Sequence, residues 1–193
     1  MNFFAISNVL SRSIIPFRFV FIMWLLFSAE YVYGYKIHHL GILPRNLYGL
    51  IGIVIAPVLH LNLVHIVSNT LPLLMLGAGL FYFYYSKAKL VFYGSFFLPN
   101  ILVWFFARPI IHIGASGIIY SIATYLVMTG LIKRDLKSLL ISIAVVIVYS
   151  SLFFGLVKQL ETVSYELHFA GVAVGLGLAV FQNFNFFNPS TNG

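Results

Sequence analysis

A serine and a histidine are the residues of this chain whose types and spacing could carry out chemistry. Ser116 lies in the small-residue stretch Gly114-Ala115-Ser116-Gly117, and His168 opens another apolar stretch 52 positions later. A serine hydroxyl is a weak nucleophile until a base takes its proton, and a histidine can be that base. The apolar stretches after residue 60 hold no Asp or Glu except Glu166, at the start of the last one. The pair therefore predicts a Ser/His dyad without a third member.

The alternative for Ser116 is a packing role, because small residues allow close approach of helices in membranes. The soluble hydrolase motif Gly-x-Ser-x-Gly is absent, since Ile118 stands where its second glycine would be. A serine in a small-residue patch is therefore not by itself a catalytic signal.

An imidazole and an amide could accompany the serine. His65 and Asn69 stand four positions apart, which puts both on one face of a helix. Acyl transfer creates an oxyanion that needs hydrogen-bond donors, and these two side chains could supply them beside the backbone N–H of Ser116. The alternative is that His65 and Asn69 form hydrogen bonds between helices.

The other histidines are expected to have no part in the chemistry. His60 is interpreted as a structural or interfacial partner, and His38, His39 and His112 as loop residues. We expect no metal site, since no carboxylate joins any of these histidines. No organic cofactor is expected either.

A stripe of small residues follows His168 at helical spacing. Gly171 and Gly175 allow the last helix to approach another closely, which would bring His168 against Ser116. Tyr120 follows Ser116 by four positions, so its ring would lie one turn deeper on the same face, where it could stack on His168. The alternative for Tyr120 is ordinary packing between helices.

The amino-acid composition predicts a membrane protein, so these polar residues are expected to lie within the bilayer. Of the 193 residues 61% are hydrophobic and 8% charged, and the mean hydropathy is +1.01. A soluble domain carries about a quarter charged residues. The formal charge of +7 comes from eleven Lys and Arg scattered between apolar runs, which argues against nucleic-acid binding. Polar side chains at membrane depth are costly and usually functional.

The apolar runs predict an all-α membrane protein, forming a single domain over residues 1–193. A crossing needs about 20 apolar residues. The first run, with Arg12 and Arg18 before its core, could pass for a signal peptide, but Glu30 and aromatic residues follow it where a small-residue cleavage site would be needed. Within the stretch 36–60 the segment Leu47 to Leu59 has 13 residues, too few to cross, so this stretch is predicted to be a partly embedded first loop. Six transmembrane helices are expected, at about 15–35, 61–85, 90–107, 113–132, 138–157 and 167–187.

The Lys and Arg residues predict an orientation, because cytoplasmic segments carry an excess of them. With a cytoplasmic N-terminus, the inner segments hold seven of them (Arg12, Arg18, Lys87, Lys89, Lys133, Arg134, Lys137) and the outer loops four (Lys36, Arg45, Arg108, Lys158). Both termini are then cytoplasmic. The even-numbered helices start on the outer side, which predicts similar depths for His65, Asn69, Ser116 and His168.

Three motifs together resemble those of the rhomboid intramembrane serine proteases. They are His60-x4-His65-x3-Asn69, Gly114-Ala115-Ser116-Gly117 with Tyr120, and His168-x2-Gly171-x3-Gly175. The resemblance covers predicted helices two to six, and each motif alone would be weak. It implies a six-helix core, a Ser116/His168 dyad, and an oxyanion site of His65, Asn69 and the Ser116 amide. It also implies cleavage of other membrane proteins within or beside their transmembrane helices, in a bacterial inner membrane, with the site facing outward.

The chain also departs from the family pattern. Many bacterial members carry a Trp-Arg pair in the first loop and a Glu-x-Arg after the second helix, whereas this chain has Arg45 and the aromatic run Phe81 to Tyr85. We therefore expect a different anchoring of the first loop, in a minimal core without an extra domain or seventh helix. The alternative function is a non-catalytic membrane protein of the same shape that binds transmembrane clients.

Overall fold

The computed structural model describes residues 13–150 and 164–183, and its regular structure there is helical. One isolated antiparallel bridge joins Ile42 and His112. This confirms the all-α prediction for the described residues. The main helices are α1 (Ile14–Tyr33), α2 (Leu63–Phe83), α3 (Tyr85–Phe106), α4 (Ser116–Lys133), α5 (Leu136–Val148) and α6 (Tyr165–Gln182).

Five of these helices are long and apolar enough to cross a membrane, namely α1, α2, α3, α4 and α6. Helix α5 has 13 described residues, and the predicted continuation of this helix toward residue 157 lies outside the described residues. Two of the basic residues on which the predicted orientation rests, Arg12 and Lys158, also lie outside the described residues. The same holds for the predicted end of the last helix, residues 184–187.

Helix α4 is the centre of the bundle. In α4 67% of an 18-residue apolar stretch is buried, whereas the buried share in the other four candidate spans is 17–33%. The difference arises because α2, α3, α5 and α6 all pack around α4. Polar pairs fix two of these contacts. The hydroxyls of Ser95 and Ser121 lie 2.7 Å apart between α3 and α4, and Ser142 of α5 donates to the carbonyl of Val127 at 3.1 Å.

Helices α4 and α6 approach each other at glycines. A Cβ added to Gly171 would lie 2.6 Å from the carbonyl oxygen of Gly117, and one added to Gly175 would clash with the Ser121 carbonyl. Only glycine tolerates this separation, because any larger side chain would push the two backbones apart.

The first loop consists of short turns held against α3. It contains the 3-10 helices His38–Leu40, Leu47–Leu50 and Ala56–Val58 and the one-turn α-helix Gly52–Ile55. The amide of Asn100, in the middle of α3, donates to the carbonyl of Ile53 at 3.1 Å.

Arg45 and Trp104 provide the main anchor of this loop. The Arg45 guanidinium donates to the carbonyls of Phe105 and Ala107, at 3.1 and 2.9 Å, and the Trp104 indole donates to the carbonyl of Asn46 at 3.0 Å. The Arg45 contacts satisfy carbonyls at the end of α3, where the last carbonyls have no partner within the helix. Arg45 and Trp104 thus hold the first loop against the end of α3 from both sides of the contact.

Two helix starts differ from the sequence prediction. Helix α4 begins at Ser116 rather than Ile113, because Gly114 adopts φ +113°, outside the helical region. Helix α3 begins at Tyr85 rather than Leu90, because Lys87 continues the helix and extends its ammonium to the carbonyl of Gln182. Lysines near helix ends can bury their stems in this way.

Basic residues gather at the end of the bundle where α2, α4 and α6 finish. The ammonium of Lys133 lies 5.6 Å from the centre of the Tyr84 ring, and Lys137 extends toward the carbonyl of Phe83. Lys87 lies at the same end, beside Gln182. The opposite end holds the starts of α2, α4 and α6.

Candidate active site

The starts of α2, α4 and α6 surround a cavity of about 600 Å³. It is lined by residues of these starts and of the loops before them. The five predicted site side chains are all part of its wall: His65, Asn69, Ser116, Tyr120 and His168. Predicted supporting glycines Gly114 and Gly117 flank Ser116, and Gly171 and Gly175 hold α6 against α4.

Ser116 is the first residue of α4 and is half-buried at the cavity wall. The N–H groups of a first helical turn have no acceptor within the helix, so the Ser116 amide is available to a ligand. The macrodipole of this 18-residue helix also places partial positive charge at its start. Anionic groups are therefore favoured next to Ser116.

His168 lies in the first turns of α6 and is stacked on Tyr120 of α4. The two ring centroids are 4.2 Å apart with 15° between the planes, and both side chains are buried. Gly171 permits this stack, since a Cβ there would lie 2.8 Å from Tyr120 Cβ. The small-residue stripe thus brings His168 to the helix that begins with Ser116.

The ring of His65 lines the cavity and lies next to the backbone of Gly114. Its Nδ1 accepts a 3.4 Å hydrogen bond from the Leu61 amide, so in the neutral ring the proton is on Nε2. A Cβ added to Gly114 would lie 2.7 Å from that Nε2. The Nε2–H donor therefore lies beside the backbone that leads into Ser116, two residues on.

Asn69 lies one turn below His65 and is 4% exposed. One hydrogen of its amide donates to the His65 carbonyl at 2.8 Å, which leaves the second hydrogen available. Its Oδ1 is buried without a hydrogen-bond partner among the described residues. An unpaired buried amide oxygen is costly unless water or a ligand reaches it.

His60 supports His65 from outside the helix. The two rings meet edge to face with centroids 4.9 Å apart, and His60 is 1% exposed. Burial, with a smaller contribution from neighbouring His65, lowers the pKa of His60 to about 3. A neutral, buried ring agrees with the structural role that the sequence suggested.

Two of the histidines interpreted as loop residues, His38 and His112, also line the cavity, together with Ser164. His38 lies 3.5 Å from the carboxylate of Glu30 at the end of α1. His112 is 1% exposed and contacts Ser164. The sequence signal for His112 is its position two residues before Gly114, in the loop that leads into the serine.

Comparison with known proteins identifies relatives of this chain. The family model of the Rhomboid domain matches residues 46–182. An uncharacterized protein of Mycobacterium bovis is 31% identical over 172 residues, covering 82% of this chain and 70% of the relative. An uncharacterized protein of Mycobacterium tuberculosis matches with the same values. One of Mycobacterium leprae is 34% identical over 136 residues, covering 65% of this chain and 53% of the relative.

Proposed function

Because this chain belongs to the rhomboid family, we propose that it is an intramembrane serine endopeptidase in which Ser116 is the nucleophile and His168 the general base. As a member of this family with five helices that could span a bilayer, it is an integral, multi-pass membrane protein. The proposal concerns its activity, its catalytic residues and its substrates.

The observation that carries the proposal is the common cavity of Ser116, His168, His65 and Asn69. These residues come from three helices and are separated by up to 103 positions, from His65 to His168. A packing role for Ser116 would not require donors and a base around the same cavity.

The proposed reaction begins when a substrate carbonyl carbon reaches the Ser116 hydroxyl. The Ser116 oxygen forms a bond to that carbon while His168 takes the hydroxyl proton. His168 then gives this proton to the leaving amine as the peptide C–N bond breaks, which leaves an acyl group on Ser116. A water oxygen then bonds to the acyl carbon while His168 takes a proton from that water. His168 returns the proton to the Ser116 oxygen as its bond to the acyl carbon breaks, which releases the acid.

The oxyanion would be stabilised by donors from two helices. The Ser116 amide and the positive end of α4 act from one side, and Nε2–H of His65 with the second amide hydrogen of Asn69 from the other. Tyr120 would fix the plane of the His168 ring by stacking, with Gly171 and Gly175 permitting the close approach. Gly114 leaves room for the His65 ring, and Gly117 for the close approach of Pro99, whose Cβ would lie 3.1 Å from an added Cβ.

The proposed substrates are transmembrane segments of other membrane proteins. The cavity lies at the end of the bundle opposite to Lys87, Lys133 and Lys137. Since cytoplasmic ends carry an excess of basic residues, this arrangement supports an outward-facing site. The proposal places the protein in a bacterial inner membrane, as a six-helix core with both termini cytoplasmic.

Reconstitution with a reporter tests the proposal. We expect proteoliposomes of this protein to cut a single-span reporter within or beside its transmembrane segment, and Ser116→Ala and His168→Ala to abolish the cut. Ser86→Ala, an exposed serine at the other end of the bundle, is the matched control. Unchanged cleavage by Ser116→Ala would overturn the proposal. A client-binding protein would retain the reporter without any cut.

A further inference from the structure

His112 lies in the loop between α3 and α4 and connects it to the start of α6. Its Nδ1 is 2.7 Å from the hydroxyl oxygen of Ser164, the residue before α6. Its Nε2 is 3.0 Å from the carbonyl oxygen of Arg108. The side chain is almost fully buried, so neither contact is shared with bulk solvent.

The partners fix the direction of each hydrogen bond. The Arg108 carbonyl can only accept, so Nε2 of His112 carries the proton and Nδ1 accepts from the Ser164 hydroxyl. The Ser164 oxygen in turn accepts from the amide of Leu167 at 3.3 Å. One continuous chain of hydrogen bonds thus runs from the loop to the residue before His168. Burial lowers the pKa of His112, in keeping with a neutral ring.

Two further sets of contacts join the loop between α3 and α4 to the first loop and to the start of α6. The backbone of His112 exchanges two 2.9 Å hydrogen bonds with Ile42 of the first loop. Arg108 forms an ion pair with Glu166 and lies over the ring of Tyr165, 4.4 Å from its centroid. The segment that leads into Ser116 and the turn that carries His168 are therefore joined to each other through side chains of both segments.

We propose that His112 is a positioning residue, which acts through Ser164 to hold the start of α6 so that His168 faces Ser116. This inference rests on the proposed function, because the hydrogen bond between His112 and Ser164 affects catalysis only if Ser116 and His168 react. His112 has no chemical step of its own in the proposed reaction. Its effect is on geometry, and small displacements of catalytic groups are costly in rate.

The kinetic test compares His112→Ala with His112→Asn, which keeps an acceptor near the position of Nδ1. We expect kcat of the alanine variant on the reporter to fall roughly 10- to 100-fold, as for one buried hydrogen-bond tie, with KM nearly unchanged. The asparagine variant should recover most of kcat. His39→Ala, an exposed histidine of the first loop, is the matched control. The double variant of His112→Ala with Ser164→Ala should be no slower than the slower single variant, because both remove the same tie.

Hydrogen exchange of backbone amides tests, without a catalytic assay, whether the hydrogen bond between His112 and Ser164 holds the start of α6. In His112→Ala we expect faster exchange of the Leu167 amide, which donates to Ser164, and of the amides in the turn after it, while the rest of α6 stays protected. Unchanged exchange there, or unchanged kcat in an active enzyme, would overturn the inference. Faster exchange along the whole chain would also overturn it, since His112 would then serve folding. If the wild-type protein shows no Ser116-dependent cleavage, the proposed function fails, and the exchange measurement still decides whether the tie exists.

Discussion

The imidazole of His168 lies parallel to the phenol ring of Tyr120, with 4.2 Å between centroids and 15° between planes. The stack joins α6 to α4 one turn below Ser116. A stacked ring cannot swing freely about its side-chain bonds, so the contact with Tyr120 restrains the plane of the His168 ring.

Removing the Tyr120 ring should therefore impair catalysis more than removing its hydroxyl. An aromatic pair contributes about 0.5–1.5 kcal/mol beyond burial, which corresponds to roughly 2- to 13-fold in rate if it is lost in the transition state. We expect Tyr120→Ala to lose at least that much kcat, and Tyr120→Phe to stay closer to wild type. Equal losses in the two variants, measured with the reporter, would argue against stacking as the cause.

Gly114→Ala should disturb the site by a steric contact with His65. Its Cβ would lie 2.7 Å from Nε2, so the ring must move away from the position proposed for the oxyanion. A displacement of about 1 Å can cost roughly 100-fold in rate. Gly34→Ala is the control for backbone strain, since Gly34 also has positive φ but a Cβ there meets nothing within 4 Å. Similar kcat in both variants would contradict the prediction.

The glycines of α6 should differ in their tolerance of alanine. Gly171→Ala must push α6 away from the Gly117 carbonyl, and overpacking of this kind costs about 1–3 kcal/mol. Gly177→Ala in the same helix adds a methyl group where nothing lies within 4 Å, and should be neutral or stabilising because alanine is the better helix former. Thermal unfolding in detergent compares them, and equal midpoints would refute close packing at Gly171.

Acid should destabilise the protein through His60. Burial holds the pKa of His60 at about 3, whereas the same group in the unfolded chain has a pKa of about 6.5. Between these values the unfolded chain binds a proton that the folded protein does not, so the free energy of unfolding falls with falling pH. The slope is about 1.4 kcal/mol per pH unit. His60→Gln should have a shallower slope, by one proton, in unfolding measured from pH 7 to 4. An identical slope in the variant would show that His60 is not responsible.

Much of the fold follows from the order of apolar and charged residues. The apolar runs indicated the main helices, and the family assignment from the three motifs is confirmed by the Rhomboid domain match. The helix ends were less predictable. A charged residue predicts the end of an apolar helix, but Lys87 continues α3 because its ammonium reaches a carbonyl 95 positions away.

The site could be predicted only in part. The residue types of Ser116, His168, His65 and Asn69 suggest chemistry by themselves, and their roles stay predictions. The pairing of His112 with Ser164 could not be predicted, because their contact joins segments 52 positions apart and depends on how α6 packs on α4. The anchoring of the first loop by Arg45 and Trp104 is likewise a tertiary contact that no local pattern contains.

Covalent labelling of Ser116 by a fluorophosphonate probe tests the central claim most directly. In detergent-purified protein we predict one labelled serine, mapped to Ser116 by mass spectrometry. Labelling should be absent in Ser116→Ala, strongly reduced in His168→Ala and unchanged in Ser86→Ala. Labelling that persists in Ser116→Ala, or a folded wild-type protein that takes up no probe, would contradict a Ser116/His168 catalytic dyad.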